Sequence, residues 1–191
     1  LNTGITLTVA NGSGTDFSVS GTFRNAGTVT INSSATIAYQ ASGTYQHNYS
    51  TTAGVIPTAS WATGSSCEIV GYTTNSSTPT GMQSFYNFVW NCPSQSSAIT
   101  LNGTLTSVNG NFSIVSTGSS ELRVATNAST LSVGGDFIQT GGNLTLSTAS
   151  GITSTINVAG DFSLEGGTFS VVNGSNSTGK INLSGNYSHT G

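Results

Sequence analysis

Charge is what this sequence most lacks. Three Lys/Arg and six Asp/Glu amount to 5% of 191 residues and leave a net charge of −3, where an ordinary soluble domain is about a quarter charged. With only Arg24, Arg123 and Lys180 basic, nothing is available to neutralise a phosphate backbone, so nucleic acid is not an expected partner. No apolar run approaches the roughly 20 residues that cross a bilayer, and no basic-then-apolar leader is present, so no membrane insertion is expected. Cysteine is limited to two residues, with no CxxC pair or adjacent His, which argues against zinc. A disordered chain this polar would carry high charge and few aromatics. Here 35% of residues are hydrophobic, and Val, Ile, Leu and Phe recur at intervals that a packed interior requires.

What is present is a repeated phrase of apolar, x, Gly, Asn/Asp/Thr, aromatic. It reads Val19-Ser-Gly21-Thr-Phe23, Ala41-Ser-Gly43-Thr-Tyr45, Val108-Asn-Gly110-Asn-Phe112, Val133-Gly-Gly135-Asp-Phe137, Val158-Ala-Gly160-Asp-Phe162 and Leu183-Ser-Gly185-Asn-Tyr187. From Gly110 the glycines recur every 25 residues, and Gly21 precedes Gly43 by 22. A fixed period in the twenties marks a solenoid. Within one period apolar residues alternate over three short segments, as in Ile156-x-Val158, Phe162-x-Leu164 and Phe169-x-Val171, with Gly, Ser, Thr and Asn between them. Each segment has strand periodicity and each gap is a corner.

The reading is therefore all-β: a right-handed parallel β-helix (β-solenoid) of about 25 residues and three short strands per coil, with coils stacked at about 4.8 Å. It predicts one inner row of Val108, Val133, Val158 and Leu183 and another of Phe112, Phe137, Phe162 and Tyr187. Gly110, Gly135, Gly160 and Gly185 would sit at a corner needing positive φ or close approach. A β-sandwich also uses many short strands, but an unvarying 25-residue spacing is harder to explain there. The chain opens inside an alternating stretch, Ile5-Thr-Leu7-Thr-Val9, and stops inside a repeated phrase, so both ends read as cuts from a longer protein.

Between Gly43 and Gly110 the phrase is missing. Half of the aromatics, both cysteines and all three prolines fall there. Three regions are expected: solenoid coils over 1–44, a Cys/aromatic-rich irregular module over 45–97, either a stretch of the solenoid or an insertion, and regular coils over 98–191. Cys67 and Cys92 are one 25-residue period apart, a placement that predicts a disulfide and an oxidising, extracellular compartment, the alternative being two unrelated buried thiols.

Candidate chemistry is sparse. Asp136 and Asp161 occupy the same slot in successive coils between Asn111 and Asn186. They are metal candidates for calcium through stacked oxygen ligands, or corner residues that satisfy the turn backbone. The calcium-repeat pattern GGxGxDxUx is absent, which favours the second. The other carboxylates, Asp16, Glu68, Glu121 and Glu165, form no pair suited to glycoside hydrolysis, and no catalytic residue or cofactor is assigned. Glu121, with Arg123 nearby, reads as a surface ion pair. His47 and His189 follow the aromatic slot by two and read as inward, hydrogen-bonded side chains. Thr6-Leu-Thr8 and Thr28-Val-Thr30 begin a flat Thr face of the ice-binding kind that does not persist. Trp61, Tyr72, Tyr86 and Trp90 form a possible ligand platform for glycans, or core. Twelve Asn-x-Ser/Thr triplets are expected by chance in so Ser/Thr/Asn-rich a chain and do not report glycosylation.

Gly-Asp-Phe-x-x-x-Gly-Gly-x-Phe/Leu and the cassette Tyr45-x-His47, Ile56-Pro-Thr-Ala-Ser-Trp61, Cys67-Glu-Ile69 and Phe85-Tyr-Asn-Phe-Val-Trp-Asn-Cys92 resemble repeats of very large surface proteins of gliding and biofilm-forming Gram-negative bacteria, exported by type IX secretion. The resemblance covers Tyr45 to Gly191 and implies an adhesive or filamentous role at the cell surface with no catalytic residues. The expected function is a rigid stalk in a secreted adhesin, its partners being neighbouring repeats of the same chain or filament. The alternative is a carbohydrate-binding module that meets surface glycans through the aromatics of 45–92.

Overall fold

The computed structural model describes residues 1–190; Gly191, the last residue of the expected third region, lies outside them. Among the described residues there is no helix, and every strand pairing is parallel. The chain winds into a β-solenoid of about eight turns, roughly 24 residues each. Three sides follow one another in every full coil. One long side is a single eight-stranded sheet that runs from Thr22–Asn25, Thr44–His47, Ser66–Ile69 and Asn87–Asn91 to Phe112–Ser116, Phe137–Gln139, Phe162–Leu164 and Tyr187–His189.

After it comes a second side, formed in the later coils by Ile99–Thr100, Glu121–Ala125, Asn143–Ser147 and Thr168–Val172, and at the start by Thr6–Val9 and Thr28–Ile31. The third side carries Ser107–Val108, Ser129–Val133, Thr153–Val158 and Thr178–Leu183, preceded in the early coils by Phe17–Val19, Ile37–Tyr39 and Ser60–Trp61. Strand order within each sheet follows coil order, because one coil cannot cover its own apolar face and must use the next.

Both expected rows are present. Val108, Val133, Val158 and Leu183 are paired one on another, as are Phe112, Phe137, Phe162 and Tyr187. The ring centroids of Phe112 and Phe137 are 5.4 Å apart, and Phe137 and Phe162 stack at 4.5 Å with an interplanar angle of 11°. Phe169 enters from the second side and meets both Phe137 and Phe162 edge-on. These contacts fill a continuous core toward which alternate residues point along strands such as Asn87–Asn91 and Thr153–Val158.

The short step between Gly21 and Gly43 continues into the middle of the molecule, where a 25-residue coil was expected. Successive partners in the aromatic row are Phe23, Tyr45, Cys67, Phe88 and Phe112. The steps are 22, 22, 21 and 24 residues, and only later do they settle at 25. Region 45–97 is thus an irregular stretch of the same stack, crossed without a break by the long sheet. The repeated phrase vanishes there because Ser65 and Tyr86 take the glycine slot and Cys67 takes an aromatic one.

Gly110, Gly135, Gly160 and Gly185 do not have positive φ; close approach is what selects glycine. A Cβ at Gly160 would stand 2.3 Å from Asp136 Oδ1 and 2.7 Å from the Gly135 carbonyl carbon.

Candidate functional site

The corner behind that glycine explains the stacked carboxylates. Asn87 Oδ1 accepts the backbone N–H of Asn111 (2.9 Å), and Asn111 Oδ1 accepts that of Asp136 (2.9 Å). Asp136 Oδ1 in turn accepts from Asp161 (2.8 Å), and Asp161 Oδ1 from Asn186 (2.7 Å). Each side chain therefore satisfies an amide one coil further on that the turn would leave unpaired. Asp and Asn are interchangeable in this role because a single carbonyl-type oxygen does the accepting. Among the described residues no group of three His, Cys, Asp or Glu converges as a metal site would require. Asp136 and Asp161 stand as backbone-satisfying corner residues.

The disulfide expected between Cys67 and Cys92 is not formed: both are free, buried thiols. The reason is the coil length. Cys67 pairs with Phe88, one shortened coil away, so Cys92 lies four residues further along the strand, a displacement of about 13 Å at 3.3 Å per residue. A disulfide tolerates Cα separations of only about 4.4–6.8 Å. Cys92 Sγ instead meets the Ile69 carbonyl at 3.4 Å. Burial drives both thiols toward the protonated form, pushing Cys92 up to about 12 and Cys67 well above its ordinary value. Neither is poised as a nucleophile or metal ligand.

The glycan platform is also not assembled. Tyr72 and Trp90 are 0% exposed, and their rings pack on each other at 5.7 Å. Trp90 Nε1 donates to Gln95 Oε1 (2.9 Å) inside the core. Trp61 is half-buried and stacks on Tyr39 at 4.3 Å, while Tyr86 is half-buried beside Gly110. Strand alternation turns Trp90 into the core, while Tyr72 enters it from the strandless turn after Ser66–Ile69. Glu121 does pair with Arg123, the Arg123 Nε donating to its Oε1 (2.6 Å), and Thr145 Oγ1 donates to Oε2 (3.1 Å).

The most organised polar cluster was not read as a unit from the sequence. His47 is fully buried; its Nε2 lies 2.7 Å from the Ala53 carbonyl and 3.1 Å from the Tyr72 hydroxyl, and its Nδ1 lies 3.1 Å from the Tyr45 hydroxyl. The Nε2 contact with a carbonyl requires the proton there, leaving Nδ1 to accept from Tyr45. Tyr72 also donates to Ala53 O, Tyr45 reaches Val55 O (3.3 Å), and Tyr49 donates to the Gly27 carbonyl. Asn25 Nδ2 donates to the Tyr45 and Tyr49 hydroxyls.

The physical need for the cluster is local. Residues 50–59 contain no strand and only the isolated bridge at Val55. Carbonyls that a strand would pair with a neighbouring strand are here satisfied by phenols and an imidazole from within. Loss of solvent lowers His47 from 6.5 to about 4, partly opposed by its bond to Ala53. The available signal was the run of Tyr45, His47, Tyr49 and Tyr72 at inward positions. His189 occupies the same row as His47 but lies exposed on the last coil.

Beside the cluster is an open cleft of about 400 Å³ between residues 3–4, 26–29 and 49–55. The Tyr49 ring at its wall packs against His47 and lies close to Gly54. No protein family, curated protein or solved structure matches the chain.

Proposed function

We propose that this chain is a structural segment, a rigid stalk within a secreted or cell-surface filamentous adhesin. The observation that carries the reading is the eight-stranded parallel sheet that runs through every coil, sharing a single apolar core from Val9 to Phe162. Bending such a stack would break inter-coil hydrogen bonds and expose aromatic rows together, so it resists lateral deformation. At about 4.8 Å per coil the stack reaches close to 40 Å. The carboxylates serve turn and corner amides, one ion pair and, in Glu68 and Glu165, the side chains of Gln46 and Ser163, and the reading assigns the chain no catalysis. The likeness to repeats of type IX secretion substrates supports the placement at the surface of a gliding or biofilm-forming bacterium.

The test is replacement within the parent surface protein. An unrelated β-solenoid of equal coil number in place of this segment should leave cell attachment unchanged, and deleting the segment should reduce it. Attachment lost on replacement, with the protein still displayed, would show that this surface itself makes the adhesive contact.

A further inference from the structure

On the second side the sheet is interrupted inside the stack. Thr28–Ile31 pairs with Thr6–Val9 of the preceding coil, and the next strand on that side is Ile99–Thr100, three coils further on. Thr28 and Asn32 donate their N–H groups back to the Ile5 and Val9 carbonyls (2.9 and 3.0 Å). By the alternation of a parallel ladder, the N–H and C=O groups of Val29 and Ile31 point the opposite way, toward the coil that contains residues 50–59. No hydrogen bond joins residues 50–59 to Thr28–Ile31. The edge is open because that segment leaves the sheet, and it faces the middle of the molecule.

Other partners hold the departing segment off the edge. The Ala53 carbonyl turns inward to His47 Nε2 (2.7 Å) and the Tyr72 hydroxyl. The Ser50 and Gly54 carbonyls accept from the Thr73 and Thr80 N–H groups of the following coil (2.9 and 3.2 Å), and the Ile56 N–H donates to the Thr80 carbonyl (2.9 Å). Between this segment and the start of Thr28–Ile31 lies the cleft of about 400 Å³, and no charged residue lines it. Val29 and Ile31 alternate with exposed threonines and are half-buried, while Val55 at the cleft wall is 60% exposed. Open strand edges recruit another strand unless proline, charge or a bulge blocks them, and Thr28–Ile31 has none of these.

We propose that the free edge of Thr28–Ile31 is a β-augmentation site for an uncharged, extended peptide segment of a partner protein, added to the second side as a parallel strand. The N–H groups of Val29 and Ile31 donate to carbonyls of the segment, and their C=O groups accept from its N–H groups. Apolar residues at alternate positions of the segment lie opposite Val29 and Ile31. Small or hydroxylated residues between them face outward, the pattern that Thr6-Leu-Thr-Val9 presents to the other edge of the same strand. Main-chain bonding of this kind is what an extended polypeptide supplies along its whole length. A charged segment is disfavoured, because the cleft holds no opposite charge to offset its desolvation. The inference uses the strand edge alone and does not depend on the stalk reading.

Amide hydrogen exchange of the whole chain, read by NMR, tests it with the acetylated and amidated peptide Ile-Thr-Leu-Thr-Val-Ala, the sequence of residues 5–10. In the free protein Val29 and Ile31 should exchange about tenfold or more faster than Thr28 and Thr30. Excess peptide should slow Val29 and Ile31 by a similar factor. The same peptide N-methylated at both threonines lacks the N–H groups that meet the edge and should slow neither. Ile31→Pro removes one edge N–H at a position where an edge strand tolerates proline and should abolish the slowing at Val29. Val55→Asp, which puts a charge at an exposed position of the cleft wall, replaces it should Ile31→Pro not fold, and should weaken peptide binding. Amides of Val29 and Ile31 that are slow in the free protein at every concentration would mean that the chain itself closes the edge. Slowing that grows with protein concentration would mean that a second copy fills it. Either result, no slowing by the peptide, or equal slowing by its N-methylated form would overturn the proposal.

Discussion

At the scale of single residues, one buried polar side chain serves a segment where strands fail. His47 holds the strandless segment at Ala53 and is kept neutral by burial, with a pKa lowered from 6.5 to about 4. The unfolded chain takes up a proton between those values that the folded chain refuses. Stability from this residue is therefore fully present above pH 6.5 and falls as the pH drops toward 4, by about 1.4 kcal/mol per pH unit. Urea unfolding of the parent chain and of His47→Gln at pH 7, 5.5 and 4.5 should show the decline in the first and a shallower one in the second; parallel curves would remove His47 as the cause. The two thiols make a second residue-scale case. A thiol reagent should label neither Cys67 nor Cys92 in the native chain and both after denaturation, and reduction should leave the intact mass unchanged. A mass gain on reduction would restore the disulfide.

The element that matters is the row, since each strand contributes only one or two inward side chains to several such rows. Phe137 lies between Phe112 and Phe162 and also meets Phe169. Phe137→Ala should cost about 3–5 kcal/mol as an interior truncation, whereas Tyr187→Ala on the exposed last rung should cost far less. Equal losses in denaturant midpoints would show that the rows do not carry the stack. The corner ladder is the second element. Its Asx oxygens pair amides of the next coil, and the crowding they create around Gly135 and Gly160 is the reason the Gly-Asn/Asp pair recurs. Sequence spacing revealed this pairing but not its cause, since positive φ and close approach both select glycine.

For the whole molecule, a parallel stack with one core behaves as a rod whose length is set by coil count. Periodicity alone was enough to derive the architecture: alternation demands strands, and a 25-residue recurrence demands that residues one period apart share a face. The aromatic and valine rows followed from that and stand in the structure. Coil length in the region without the phrase was not legible, because a coil can lose three or four residues at its corners without disturbing the strand register. That freedom moved Cys92 past Cys67 and kept the long sheet running through 45–97, where strand alternation turns Trp90 inward and Tyr72 packs on it from outside the strands. Local pattern determines which residues form strands and which face is apolar; which coil lies upon which depends on how much chain each corner consumes, and that is settled only when the whole stack closes its hydrogen bonds.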